Sequence, residues 1–214
     1  MRSPVWLHQA RRPTAAGLAA LALTAAVVFV VTPATSSASS TLTLRYPVNG
    51  NTLINAANAT LTLGPGTLTS KINLSNGQIA SKLALPPATG SFNELGLIPV
   101  TATTQFIQDG PTTGTVNINT GAVTATSYTT LRITSLSVAG VPVSVGTTCQ
   151  SSTPATILVV SQPGFSVVNG GNLSGIYTIP PFANCGLVTT VLNLTIAGPN
   201  NAITLTLGKG HSVG

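Results

Sequence analysis

Ile203-Thr204-Leu205-Thr206-Leu207 alternates apolar and hydroxyl side chains with a period of two. Successive side chains of an extended chain point to opposite faces, so this run reads as a strand with one face in a core and one in water. The same alternation recurs in Thr41-Leu42-Thr43-Leu44, Thr60-Leu61-Thr62-Leu63 and Val116-Asn117-Ile118-Asn119. It returns in Val141-Pro142-Val143-Ser144-Val145 and Leu192-Asn193-Leu194-Thr195-Ile196. The many β-branched residues favour the pleated conformation.

Turn residues punctuate these runs. Asn49-Gly50, Asn76-Gly77 and Asn169-Gly170 can supply the positive φ values of tight hairpins, and Asn119–Ala122 and Ala139-Gly140 read as further tips. Pro86-Pro87, Pro180-Pro181 and Gly198-Pro199-Asn200 mark loops or strand ends, because proline cannot donate to a ladder. No capped amphipathic helix of ordinary length follows the first 38 residues. The expected fold is all-β, an antiparallel β-sandwich or Greek-key-like barrel with one disulfide. Residues 39–208 are expected as a single domain, with a soft division near 109–114 as the alternative. Residues 209–214 are expected as a flexible tail.

The first 38 residues have the layout of an export signal. Arg2, Arg11 and Arg12 precede the apolar run Ala15–Val31, and small residues follow, with Ser36 and Ala38 suited to cleavage after Ala38. An uncleaved membrane anchor is the alternative, since the run approaches the roughly 18 residues of a spanning helix. Arg11-Arg12 also raises a twin-arginine route, but Pro13-Thr14-Ala15 lacks the bulky apolar residue that should follow the pair. The expected location is therefore secreted or cell-envelope-associated.

Removing the signal leaves Arg45, Lys71, Lys82, Arg132 and Lys209 against Glu94 and Asp109, a net charge of +3. These charges are scattered along the chain with no basic stripe, which argues against a nucleic-acid partner. Charged residues make up 5% of the sequence, against roughly 25% in ordinary soluble domains, so Thr, Ser and Asn carry the polarity. Such a surface has little repulsion to oppose association. Cell-wall glycan, lipid and self-association are the expected partner classes.

Cys149 and Cys185 are the only cysteines, and two cysteines in an exported chain predict one disulfide. A two-thiolate metal site would lack nearby His or acidic ligands. Leu136–Gly146 leading to Cys149, Gly170–Phe182 leading to Cys185-Gly186, and Gly198–Gly208 follow one another in an order that carries a resemblance. It resembles uncharacterised secreted actinobacterial proteins with VPVxVG…C, GGxLSGxYxIPPFxxCG and GPxN segments. The likeness covers about residues 131–208. It implies an actinobacterial source, secretion and the Cys149–Cys185 bridge, and no catalytic residue. Some members carry a further Cys near the mature start, where this chain has Tyr46-Pro47-Val48.

Chemistry is sparse. A serine or cysteine nucleophile needs a base, and the mature chain offers only His211, in a Gly-rich tail. Glycoside hydrolysis needs two carboxyl groups a fixed distance apart, and Glu94 and Asp109 are the sole pair. Two acids far apart in sequence make a dedicated Ca²⁺ or Mg²⁺ site improbable. Gly170–Gly175 could form an anion nest, but no helix or Lys of a phosphate loop follows, so a hairpin tip is expected. Four Asn-x-Ser/Thr matches, at Asn58, Asn73, Asn172 and Asn193, are the chance yield of a chain this rich in those residues. Phe165, Tyr177 and Phe182 flank the cysteines and are expected to pack there or to face a ligand.

The leading expectation is a non-catalytic protein that acts by binding or assembly at the cell surface, with no cofactor or metal and no helical membrane span in the mature chain. A carrier with an apolar pocket between sheets falls within that class. An envelope β-barrel pore and a small hydrolase using Glu94 and Asp109 are the alternatives.

Overall fold

The computed structural model describes residues 40–94 and 96–213. The expected signal segment lies outside them. The first strands are β1 (Thr41–Ile54), β2 (Ala59–Asn73), β3 (Gln78–Ala84), β4 (Ala88–Glu94) and β5 (Ile98–Gln108). Then come β6 (Thr112–Val116), β7 (Val123–Val138), β8 (Val141–Val143), β9 (Gln150–Ser151) and β10 (Ala155–Ser161). The last are β11 (Gly171–Ile179), β12 (Phe182–Ala183), a 3₁₀ turn and helix α1 (Thr189–Thr195), β13 (Gly198–Leu207) and β14 (His211–Ser212).

Eight strands close an antiparallel barrel in the order β10-β11-β13-β1-β2-β3-β6-β7. Pairing of Thr124–Thr129 of β7 with Ala155–Val160 of β10 makes the closure. Past that point β7 continues and pairs instead with β5, which pairs with β4. Closure removes the unpaired edges that an open sheet would expose. Of the two architectures the sequence allowed, the barrel is the one formed, and it is stapled by the Cys149–Cys185 disulfide with both cysteines fully buried.

Alternation decides which face is inside. In β1, Leu44, Tyr46 and Val48 are buried while Arg45, Pro47 and Asn49 are exposed. β13 repeats this with Ile203, Leu205 and Leu207 buried. Leu63, Leu131 and Ile133 are almost wholly enclosed; each such side chain contributes about 1.5–3 kcal/mol of burial. One buried polar group pins the far end. Asn201 is 1% exposed. Its Nδ2 donates to Tyr177 O and Gly198 O, and its Oδ1 accepts from Asn55 N, so burial leaves its amide satisfied.

Several expectations are corrected. Asn49-Gly50 is no hairpin tip. It lies within β1, beside a register shift between Val48 and Gly50. Gly50 is needed there because a Cβ would run into the carbonyl oxygen of Thr204 on β13. The alternation of Leu192–Ile196 does not make a strand. Val188, Leu192 and Ile196, at the N-cap, middle and C-cap of α1, recur every four residues and pack inward, while Leu194 is 78% exposed. Val116 ends β6, and Ile118 is left exposed. The tail is tied down, with Leu44↔Ser212 and Arg45↔His211 paired and Val213 N donating to Thr43 O. Residues 109–114 are no boundary either, since β6 begins at Thr112 and joins β3 to β7 within one compact unit.

The cations are not scattered in space. Arg45 pairs across with Thr69, and Thr69 with Lys82, while Lys71 lies two residues along β2 on the same outward face. At about 4.8 Å per strand, Arg45 and Lys82 stand roughly 10 Å apart. All three are exposed. Arg132 is separate, its guanidinium donating to Gln150 Oε1 at 3.1 Å. Among the described residues no helix is long and apolar enough to cross a membrane.

Candidate functional site: the barrel cavity

The inward faces of the eight barrel strands do not meet completely. They leave a cavity of about 100 Å³ to which every barrel strand contributes. For scale, a cavity of roughly 150 Å³ lined by Leu, Ile and Phe stays dry and takes up benzene. The wall formed by β10, β11, β13 and β1 is hydrocarbon apart from one tyrosine hydroxyl, with Ile157, Leu173, Ile203, Leu205 and Val48 facing in.

One end is covered by the connection between β10 and β11, residues 162–170, which turns Phe165 and Val167 over the cavity. The segment is fastened at three points. Tyr46 Oη donates to Val167 O at 2.6 Å, Ser166 and Gly170 exchange backbone hydrogen bonds, and Gln162 Nε2 donates to Ser174 Oγ at 2.5 Å. Burial pushes the Tyr46 hydroxyl up to about 12, so it is a neutral donor at physiological pH. Gly170 has φ +79° and lies against the carbonyl oxygens of Leu207 and Gly208, which leaves no room for a side chain.

The opposite wall carries hydroxyls. Ser70, Ser81, Thr112, Ser127 and Thr129, on β2, β3, β6 and β7, point into the cavity. Ser81 Oγ donates to Ser70 Oγ at 2.8 Å, Ser127 and Thr129 share a hydrogen bond of 3.2 Å, and Gln108 Nε2 donates to Thr112 Oγ1 at 3.1 Å. Among the described residues no Lys, Arg, His, Asp or Glu lines the cavity. A second hollow of about 30 Å³ lies towards α1, among Ile54, Leu61, Phe92, Phe182 and Ile196; Phe106 lines both. It is apolar apart from Thr104 and no larger than a single water's share of the liquid.

The sequence candidates fall in different places. Phe165 lines the main cavity, and Phe182 lines the small hollow. Tyr177 lines neither; its hydroxyl is spent on Thr52. Phe182 pairs with Ser151, close to the Cys149–Cys185 bridge. Glu94 stands opposite Ile98 at the start of β5, and Asp109 follows the end of that strand, where its carboxylate accepts from Thr130 Oγ1 at 2.6 Å. Eleven steps of about 3.3 Å separate the two ends, roughly 35 Å. Paired glycosidase carboxyl groups lie within about 10 Å of each other. The two acids therefore do not form one site. His211 is exposed on β14. Among the described residues no cluster of His, Cys, Asp and Glu could hold a metal.

Sequence reading missed the hydroxyl wall. Its signal was present, because Ser70 takes the place of an apolar residue in the inward series Leu68, Ser70, Ile72. No known protein family, curated protein or solved structure matches this chain.

Proposed function

We propose that this chain is an exported, non-catalytic binding protein that encloses a small apolar molecule, or the end of a longer one, inside its barrel. The observation that carries the reading is the cavity walled by all eight strands, mainly by apolar side chains with one arc of hydroxyls, and with no charged group among the described residues. Enclosed apolar clefts with a few convergent polar groups are the usual form of small-molecule sites. The disulfide and the sparsely charged chain suit an extracellular or envelope setting.

The burial pattern weighs against an envelope pore. Transmembrane barrels face lipid with apolar residues and keep the lumen polar. Here Leu44, Val48 and Leu205 point inward, and Arg45, Asn49 and Thr206 point outward. The separation of Glu94 and Asp109 weighs against the hydrolase.

Titrating the mature protein with benzene and with octane, followed by backbone amide NMR, tests the cavity reading. Saturable shifts at Ala125, Val159 and Leu205 are expected. Absence of shifts at the solubility limit of both compounds rejects it.

A second reading, assembly with further copies of this chain, is favoured by one outward row. Leu158 pairs with Ile176, Ile176 with Ala202, and Ala202 with Leu53, so four adjacent strands present apolar side chains side by side. Leu158, Ile176 and Leu53 are all exposed. Sedimentation that is monomeric up to millimolar concentration rules this out; self-association that Ile176→Lys abolishes supports it.

A further inference from the structure

The hydroxyls of the cavity wall are arranged as a row. Ser70 pairs across with Ser81, and Ser81 with Thr112. Thr113 pairs with Thr126, which sets Thr112 beside Ser127 on the next strand. Four neighbouring strands thus bring hydroxyl oxygens to one level of the barrel, facing the hydrocarbon wall of the other four. Isolated core polar residues fall at unrelated levels; a row at one level on one arc gives the cavity a polar side and an apolar side.

The row is rich in donors. Ser70 is 5% exposed, and its oxygen accepts from Ser81, which leaves its own proton without an acceptor among the described residues. Thr112 Oγ1 likewise accepts from Gln108 and has its proton to give. A hydroxyl carries one donor and two acceptor positions, so both protons are available to a guest oxygen. Each of these hydroxyls already accepts one hydrogen bond, and a guest acceptor on this arc would engage its unused donor as well. An ionised guest is disfavoured, because among the described residues no cation faces the cavity to compensate a buried carboxylate.

We infer that the barrel takes an uncharged, mainly hydrocarbon molecule with one hydroxyl, ester or ketone oxygen, oriented so that this oxygen meets Ser70 and its row while the hydrocarbon packs on β10, β11 and β13. The inference rests on the cavity-binding reading above. It excludes a fatty acid in its ionised form and points to a fatty alcohol or neutral ester.

Octane, octanol and octanoate share a chain and differ at its end, so they separate the two proposals. Affinities of the mature protein and of Ser70→Ala are measured at pH 8 by amide NMR titration, with Thr112→Val as a second variant. In the wild type, octanol binds at least tenfold more tightly than octanoate. Ser70→Ala weakens octanol by about fivefold, the size of one net hydrogen bond, and leaves octane unchanged. The amides of Ser70 and Ser81 shift with octanol. Equal effects of both variants on octane and octanol, or octanoate binding as tightly as octanol, overturn the hydroxyl-row inference and leave the cavity reading standing. Failure of all three compounds to bind overturns both. Should Ser70→Ala not fold, Thr112→Val decides by the same criterion.

Discussion

Tyr177 donates its hydroxyl proton to Thr52 Oγ1, 2.8 Å away and 125 residues earlier in the chain. The direction follows from bookkeeping of hydrogens. Thr52 has one hydroxyl proton and gives it to Ala202 O at 2.9 Å, so between the two hydroxyls only Tyr177 can donate. Three strands, β1, β11 and β13, are tied at this point, and Thr52 is fully buried. Replacing Tyr177 by Phe removes one net hydrogen bond and leaves Thr52 bonded to Ala202, at a cost of about 1 kcal/mol. Thr52→Val leaves the buried tyrosine hydroxyl without its partner and also removes the bond to Ala202 O, at about 2–3 kcal/mol. Urea unfolding of the two variants should rank them in that order.

Alkaline unfolding should begin above pH 10. Burial raises the Tyr177 hydroxyl from 10.0 to about 12. Below pH 10 the tyrosine is protonated in both the folded and the unfolded state. Between pH 10 and 12 the unfolded chain loses that proton and the folded one keeps it, so the unfolded state binds fewer protons. Stability then falls as pH rises, by about 1.4 kcal/mol per pH unit for this residue, and levels off above about 12. Tyr46 acts in the same direction over the same range. Unfolding free energies measured at half-unit pH intervals should show the decline, and Tyr177→Phe should reduce its slope.

The disulfide closes a separation of 36 residues. On the chain-entropy account, Cys149→Ala with Cys185→Ala lowers stability by about 3–4 kcal/mol. Neither cysteine lines the main cavity. The double variant should therefore melt lower and still bind octane, which thermal unfolding and NMR titration together check.

Filling the cavity should uncouple binding from folding. Ala125 is buried on β7 with its methyl group facing the cavity. Ala125→Leu adds three carbons to a void whose lining lacks partner atoms on one side. Octane shifts should vanish, and the melting temperature should stay level or rise. Loss of folding would mean that the cavity is too narrow to take a leucine.

The covering segment 162–170 depends on Gly170. Gly170→Ala forces an L side chain to positive φ and against the carbonyls of Leu207 and Gly208. The expected cost is about 1–2 kcal/mol, with faster amide exchange at Ser166 and Val167 while β13 stays protected.

Much of this was legible in local pattern. The runs around Leu44, Leu61 and Leu205 read as strands, and Asn76-Gly77 and Ala139-Gly140 read as tips, because period and turn chemistry are properties of neighbouring residues. Reading failed where two periods coincide. Val188, Leu192 and Ile196 fit a helical spacing while Leu192–Ile196 also alternates, and the choice between them lay with the packing of Asn193. Its side chain accepts from Phe182 N at 2.6 Å and donates to Phe182 O at 3.1 Å. Asn49-Gly50 failed for a related reason. A glycine that admits a neighbouring strand has the same composition as one that makes a turn.

The candidate site was less legible than the fold. Phe165 was singled out, but for its nearness in sequence to the cysteines and not for the cavity it lines. The sequence by itself determined that the chain is built of half-buried strands with one mainly hydrocarbon face, since side-chain alternation is fixed by the pleat of the backbone. It also determined the pool from which the bridge could form, two cysteines and no others. Only the tertiary structure decided that the strands close into a barrel, that Arg45, Lys71 and Lys82 share a face, and that Ser70, Ser81 and Thr112 share a level. Those facts depend on register between strands that lie far apart in the chain. Register is set by the packing of all eight inward faces at once, which no single run of residues encodes.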